Sequence, residues 1–139
     1  MREFINKKIV IASNNDGKIR ELEEILKIFN VQILSNKSFN ISEPIEDGKS
    51  FKENAYIKAF NTASKTKLVS LSDDSGICFK ALNGRPGIYS ARYAGKKKDF
   101  ALAMKKLNEE LKFKDDKSCK FVCALCLCWP DGYNITVEG

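Results

Sequence analysis

The sequence predicts an α/β domain in which a mixed central sheet is flanked by helices. Short apolar, β-branched runs alternate with segments whose apolar residues recur at helical spacing. The 139 residues, of which 43% are hydrophobic, suffice for one domain with its own core, and no linker or internal repeat divides them. The chain opens in the order strand, loop, helix, which is typical of this class.

The first part of the chain predicts a β-loop-α unit and a second strand. Residues 8–12 form an apolar run that stops at the polar residues 13–18. Residues 19–29 carry apolar side chains at helical spacing between charged ones, which predicts an amphipathic helix. Residues 31–34 predict a strand, and the polar residues 35–49 predict a long surface loop.

The middle of the chain predicts a capped helix followed by two short strands. Ser50 and Glu53 have the spacing of a capping box, in which each side chain binds a free backbone N–H group at the helix start. The helix is expected to run from Phe51 to Thr66 with a stripe of small apolar residues. Residues 68–71 predict a strand that ends at the polar residues 72–76, and residues 77–82 predict another.

The last part predicts a helix and a β-hairpin. Asp99 is expected to cap a helix that runs to about Leu111. Residues 120–129 are almost continuously apolar, which predicts a strand buried on both faces, and residues 134–137 predict its hairpin partner. Because a sheet protein is expected to continue beyond this hairpin, we expect the domain, residues 1–139, to be truncated at its C-terminal end.

Composition excludes several kinds of chemistry. The chain has no His, which excludes Ser-His-Asp and Cys-His nucleophile systems and His-ligated zinc. The formal net charge of +6 suits nucleic acid, a membrane surface or a polyanionic small molecule such as a nucleotide, and does not choose among them. No signal peptide is recognisable, and the longest uncharged apolar stretch is too short to span a bilayer. We therefore expect a cytoplasmic protein without a membrane partner.

The five cysteines are expected to be reduced thiols. Cys119, Cys123 and Cys126 have the spacing of ligands to an iron–sulfur cluster. On a strand, however, Cys119 and Cys123 point to one face and Cys126 to the other, so the three cannot converge on a cluster. Buried core thiols are the preferred interpretation.

Two polar segments follow predicted strands, and the carboxyl ends of strands are where an open α/β sheet binds ligands. In the first, the Ser13 hydroxyl, the Asn14 amide, the Lys18 ammonium and the N–H groups of the helix start would suit phosphate oxygens. It is not a Walker A loop, because Ala12 and Ile19 stand where that motif needs Gly and Ser or Thr. The alternative is a polar turn that caps the helix.

The second segment contains the adjacent carboxylates of Asp73 and Asp74. Such a pair could hold Mg²⁺, and one member could activate a water; the alternative is an exposed turn or a helix cap. Glu43 or Glu46 could supply another metal ligand. Together the two segments predict metal-assisted attack on a phosphate ester or anhydride.

Four motifs occur in order along the chain: Ser13-Asn14-Asn15-Asp16-Gly17-Lys18, Gly48-x-Ser50-Phe51-x-Glu53-Asn54-Ala55, Ser72-Asp73-Asp74-Ser75-Gly76 and Gly84-x-Pro86-Gly87-Ile88-Tyr89-Ser90-Ala91-Arg92-Tyr93. With them the chain closely resembles the Ham1/RdgB family of inosine and xanthosine triphosphate pyrophosphatases, from residue 8 to the end. The resemblance implies an ITPase/Maf-like fold, with two lobes around a cleft, that forms a homodimer. It also implies Mg²⁺-dependent hydrolysis of ITP, dITP and XTP to the monophosphate and pyrophosphate, which removes deaminated purines from the nucleotide pool.

The resemblance also implies roles for individual residues. Asp74 would be the metal-linked general base, Asp73 would assist it and Ser75 would touch the substrate. Many family members have a metal-binding Glu where this chain has Ile45, so the adjacent Glu46 is expected to join Asp74 at the metal. The residues that would grip the triphosphate are Ser13, Asn14, Asn15, Asp16, Gly17 and Lys18.

A second interpretation follows from the end of the chain. The family continues into a Phe-Gly-Tyr-Asp stretch and a Ser-His-Arg segment that shape the base pocket, and these 139 residues contain neither. The alternative is therefore a truncated, catalytically weak homologue that binds nucleotide or nucleic acid without turnover. Nucleic acid is the less favoured ligand, since Arg92-Tyr93 beside Lys96–Lys98 is the only candidate for a basic face with interleaved aromatics.

Overall fold

The computed structural model describes all 139 residues. Its helices and strands are, in chain order, β1 (Lys8–Ile11), α1 (Asp16–Leu26), β2 (Gln32–Ser35), α2 (Phe51–Thr66), β3 (Ser70–Phe79), α3 (Ser90–Tyr93), α4 (Phe100–Leu111), β4 (Cys119–Cys128) and β5 (Asn134–Glu138). None of the helices is both long and apolar enough to cross a membrane.

The five strands form one mixed sheet in the order β2-β1-β3-β4-β5. Strand β1 runs parallel to β2 and β3, whereas β3, β4 and β5 form an antiparallel meander. Only the first two residues of β3 pair with β1, at Val10↔Ser70 and Ile11↔Leu71. From Ser72 onward β3 therefore extends past the carboxyl end of β1. The predicted mixed sheet flanked by helices is confirmed.

Helix α2 covers one face of the sheet and α1 covers the other. The small residues of α2 pack closely on β4, and the hydroxyls of Ser70 and Ser72 donate to the α2 carbonyls of Ala59 and Ala55. On the opposite face, Ile19 and Leu22 of α1 pack with Ile11 of β1. Because side chains alternate along a strand, even-numbered residues of β3 face α2 and odd-numbered residues face α1.

The prediction of two short strands around residues 72–76 is wrong. Strand β3 is continuous over ten residues, and each of them pairs with a residue of β4. The prediction failed because the polar composition of this segment is typical of a loop. Pairing with β4 and the serine hydrogen bonds to α2 outweigh this local preference and make it a strand. Asp73 and Asp74 consequently lie in the middle of a strand and point to opposite faces of the sheet.

The helix signals of the sequence are confirmed. Helix α2 has the predicted bounds, and the Ser50 hydroxyl accepts the Glu53 N–H at 3.1 Å. The Glu53 carboxylate accepts the Lys49 N–H at 2.7 Å, one residue before the expected N–H of Ser50. Asp99 caps α4 by accepting the Leu102 N–H at 3.1 Å.

Two statements about burial need correction. Strand β4 is not buried on both faces as predicted, because Phe121, on the face away from α2, is 78% exposed. The stretch 35–49 is not wholly a surface loop either. It begins with a 3₁₀ turn, Asn36–Phe39, and Asn36 is buried where its side chain accepts the Thr62 hydroxyl at 2.7 Å.

Of the five cysteines, two are exposed, Cys78 is half-buried and two are buried, so only part of the buried-thiol prediction is confirmed. Cys119 and Cys123 are exposed, whereas Cys126 and Cys128 are buried under α2. Burial raises the pKa of Cys126, and it raises the pKa of Cys128 to about 12, so both remain protonated thiols. In native protein at pH 8, we expect iodoacetamide to label Cys119 and Cys123, as read by peptide mass spectrometry, and to leave Cys126 and Cys128 unlabelled until denaturant is added. Equal labelling of all four would contradict the packing of α2 on β4.

Candidate active site

The first predicted binding segment follows β1 and leads into α1. Ser13 is buried, and its hydroxyl accepts the Asn15 N–H at 3.1 Å. The Asn15 side chain caps α1 by accepting the N–H groups of Gly17 and Lys18 at 2.9 and 3.3 Å. Several of the donors predicted to bind phosphate are therefore already paired within the segment. A phosphate that binds the helix start would have to replace the Asn15 side chain as the acceptor of these N–H groups.

Two members of this segment point to other partners. The Asn14 N–H donates to the Glu43 carboxylate at 3.1 Å, which ties the segment to the loop before α2. The exposed Asp16 forms an ion pair with Lys37, and this pair lowers the pKa of Asp16. The structure thus brings Asn14 toward the loop of the acidic residues and Asp16 toward the 3₁₀ turn at Asn36–Phe39.

Lys18 joins the first segment to β3. Its Nζ lies 2.6 Å from Asp73 Oδ2, in a partly buried ion pair. Burial opposes the charge of the ammonium, but the attraction of Asp73 and the hydrogen bond to it prevail and raise the pKa of Lys18. Asp73 therefore holds the Lys18 ammonium in place.

Asp74 lies on the α2 face and is 7% exposed. Its Oδ1 is 3.5 Å from Lys58 Nζ, and its Oδ2 is buried without a hydrogen-bond partner. Burial raises the pKa of Asp74, although Lys58 pulls the pKa back down. Burial is the larger of the two effects, so this carboxylate is a stronger base than an exposed aspartate, and its Oδ2 has no partner within the chain.

Lys58 is the functional side chain that the sequence analysis missed. It is 8% exposed on α2, and its Nζ lies 3.5 Å from Glu46 as well as 3.5 Å from Asp74. A signal was available, because Asn54, Lys58 and Thr62 recur every four residues beside the apolar stripe and are all buried. A polar stripe on the buried face of a helix indicates a polar site beneath it.

The carboxylates of Glu46 and Asp74 suit a magnesium ion. Magnesium commonly takes one or two protein carboxylates and completes its coordination with water and substrate phosphates. The open Oδ2 of Asp74 fits this pattern, and no group of three acidic or Cys side chains gathers into an all-protein metal site. Glu43 is less well placed as a ligand, since its carboxylate accepts the Asn14 N–H.

The remaining predicted residues frame the site. Ser75 is exposed on the α1 face of β3, where it pairs with Cys123 of β4. The Arg92 guanidinium donates to the Glu46 backbone carbonyl at 3.3 Å and so holds the Glu46 loop. Lys96, Lys97 and Lys98 are exposed, and no ion pair of the structure includes them.

Two lysines and two aspartates come together where β3 extends past the carboxyl end of β1. Lys18 reaches this place from α1 and Lys58 from α2, and each cation sits against one of the two adjacent aspartates of β3. An incoming polyanion can draw both ammonium groups, while Asp74 remains able to accept a proton. This arrangement suits the hydrolysis of a phosphate anhydride.

Comparison with known proteins identifies the family of the chain. A family model described as the Ham1 family matches residues 9–139. A dITP/XTP pyrophosphatase of Zymomonas mobilis is 50% identical over 95% of this chain, and one of Gluconobacter oxydans is 44% identical over 95%. The chain spans 65% and 64% of the length of these two relatives.

Solved structures show the same fold. A HAM1 protein from Coxiella burnetii superposes with a TM-score of 0.86 at 35% identity, over 95% of this chain and 69% of that one. The Staphylococcus aureus Ham1 protein gives 0.84 at 36% identity, over 96% and 69%. The sequence match, the shared fold and the paired aspartates of β3 agree, and the chain belongs to the Ham1 family.

Proposed function

We propose that this chain hydrolyses dITP, ITP and XTP to the nucleoside monophosphate and pyrophosphate. The observation that carries the proposal is Asp74, a buried carboxylate with one open oxygen, flanked by two lysines that can bind phosphates. The substrate class comes from its relatives, which are dITP/XTP pyrophosphatases at 42–50% identity. Removal of deaminated purines from the nucleotide pool would be its role in the cytoplasm.

The residues of the site divide the work of the reaction. Lys18 and Lys58 bind triphosphate oxygens and offset the negative charge that repels a nucleophile. Asp74 orients a water and accepts its proton as the water oxygen bonds to the α-phosphorus. The bond from that phosphorus to the bridging oxygen then breaks, and pyrophosphate leaves. Asp73 keeps Lys18 in place through the 2.6 Å ion pair.

Asp74 and Glu46 are the residues that would hold Mg²⁺. A bound magnesium ion would polarise the phosphoryl oxygens and offset charge on the departing pyrophosphate. The remaining predicted substrate contacts, Ser75 and the loop from Ser13 to Gly17, lie around this pair and would contribute hydroxyl, amide and backbone donors.

The direct test is pyrophosphate release from dITP, XTP and dGTP, with and without Mg²⁺. We expect release from dITP and XTP to exceed release from dGTP and to stop when EDTA removes the metal. Saturable binding of dITP without pyrophosphate release would overturn turnover by this chain and favour a nucleotide-binding homologue.

Replacement of Lys18 by alanine should mainly weaken triphosphate binding. A hydrogen bond to a charged group contributes about 1.5–3 kcal/mol, so we expect KM for dITP to rise by roughly 10–100-fold with a smaller change in kcat. Steady-state kinetics measures both. Lys52→Ala, an exposed lysine of α2, is the matched control. An unchanged KM in Lys18→Ala would remove Lys18 from the substrate contacts.

We also propose that residues 1–139 act as one domain and associate as a homodimer. The continuous five-stranded sheet supports the single domain. The face of β4 away from α2, where Phe121 is exposed, offers apolar surface for association. Light scattering coupled to gel filtration measures the mass, and a concentration-independent monomer of 15.7 kDa would contradict the dimer.

A further inference from the structure

The Asn54 side chain of α2 binds the backbone turn at Gly48, two residues after Glu46. Asn54 is 2% exposed on the buried face of α2, and its Oδ1 accepts the Gly48 N–H at 2.9 Å. It is one helical turn from Lys58, which contacts both Glu46 and Asp74. An amide buried this deeply beside a charged site is costly unless its polar atoms have partners.

The turn at Gly48 lies so close to α2 that there is no room for a side chain at position 48. A Cβ atom at Gly48 would lie 2.6 Å from Asn54 Oδ1, 2.8 Å from Glu53 Cβ and 3.0 Å from Asn54 N. Real Cβ atoms do not come this close, so a side chain at position 48 would displace the turn or Asn54. The hydrogen bond from Gly48 thus fixes the turn at one distance from the helix.

The turn at Gly48 is connected to Asp74 through Lys58. The Lys58 Nζ lies 3.5 Å from a carboxylate oxygen of Glu46 and 3.5 Å from Asp74 Oδ1. The distance of Glu46 from α2, which the Asn54–Gly48 hydrogen bond sets, therefore also sets how Lys58 is shared between the two carboxylates.

We propose that Asn54 is a positioning residue that holds the Gly48 turn, and with it the Glu46 carboxylate, opposite Asp74. Its importance for hydrolysis rests on the proposed function, whereas the contact with Gly48 does not. Asn54 acts through the position of the Glu46 carboxylate, in the way that outer residues orient metal ligands.

The first measurement is amide hydrogen exchange at Gly48, by NMR on metal-free protein. Asn54→Leu removes the acceptor at similar volume, and Asn54→Asp keeps an acceptor oxygen at the same place. We expect Gly48 to exchange at least about fivefold faster in Asn54→Leu and at the wild-type rate in Asn54→Asp. Asn108→Asp, the same change on the exposed face of α4, is the control.

The second measurement is Mn²⁺ binding, followed by the loss of the free-ion EPR signal, with no substrate present. We expect the Mn²⁺ affinity of Asn54→Leu to fall by about 10–100-fold. Should Asn54→Leu fail to fold, Gly48→Ala replaces it, because its Cβ pushes on Asn54 from the other side.

Unchanged Gly48 exchange in the folded variant, or unchanged Mn²⁺ affinity, would overturn the proposal. A wild-type chain that binds no Mn²⁺ but loses Gly48 protection in Asn54→Leu would support the positioning of the turn. That result would count instead against the metal site of the proposed function.

Discussion

Asp74→Asn is expected to lower dITP hydrolysis by about 10²–10⁴-fold, the contribution of a positioned general base. The substitution keeps the volume and one oxygen but removes the charge and the basicity. Because burial disfavours the charged form of Asp74, the uncharged amide should not destabilise the fold. We therefore expect an inactive protein that melts within a few degrees of wild type.

The control for this prediction is Asp115→Asn, an equal change of charge at an exposed position that makes no ion pair. Pyrophosphate release and thermal melting by circular dichroism should both match wild type in this control. Turnover retained by Asp74→Asn, with a native-like spectrum, would remove Asp74 from the role of base.

Gly76→Ala should cause the largest loss of stability among conservative substitutions in β3. A Cβ at Gly76 would lie 2.3 Å from the Gly87 carbonyl oxygen, 2.6 Å from Ser90 Oγ and 3.0 Å from Phe51 Cε1. Ser90 closes this contact by accepting the Ile77 N–H at 2.9 Å and donating to Gly87 O at 2.6 Å. Two of the three obstacles are backbone or held by backbone, so the loop after β3 has to move away.

Overpacking of this kind costs about 1–3 kcal/mol of unfolding free energy, which lowers the melting temperature by several degrees. Urea denaturation followed by circular dichroism measures the change. Gly139→Ala is the control, because a Cβ there meets nothing within 4 Å. Equal midpoints for the two variants would mean that the Gly87–Ser90 contact is loose in solution.

The sequence predicts elements well where the signal is local. The capping box at Ser50 and Glu53 and the cap at Asp99 set the starts of α2 and α4, because their hydrogen bonds involve neighbouring residues. It fails for β3, whose serines and aspartates are typical of a loop. That strand exists because β4 pairs with it along its whole length, and such pairing between distant segments leaves little trace in local composition.

The site follows the same rule. Asp73, Asp74 and Lys18 are recognisable because charged residues stand out next to apolar runs. Lys58 is not, since one lysine on a helix normally indicates a solvent-exposed side. Only the packing of α2 against β3 shows that it points inward, between Glu46 and Asp74. The roles of the individual residues remain predictions for the experiments above.

The alternation of β3 places a constraint on how this chain can change. Asp73 pairs with Lys18 of α1 and Asp74 pairs with Lys58 of α2. They reach opposite helices because one has an odd and the other an even position in an unbroken strand. Insertion or deletion of a single residue between Ser70 and Asp73 would exchange their faces, so that Asp74 would lie under α1 and Asp73 under α2. A shift by two residues would keep the faces but move the acids along β4. The faces on which the two aspartates lie therefore depend on the number of residues in β3. We expect the chain to tolerate insertions and deletions only outside this strand.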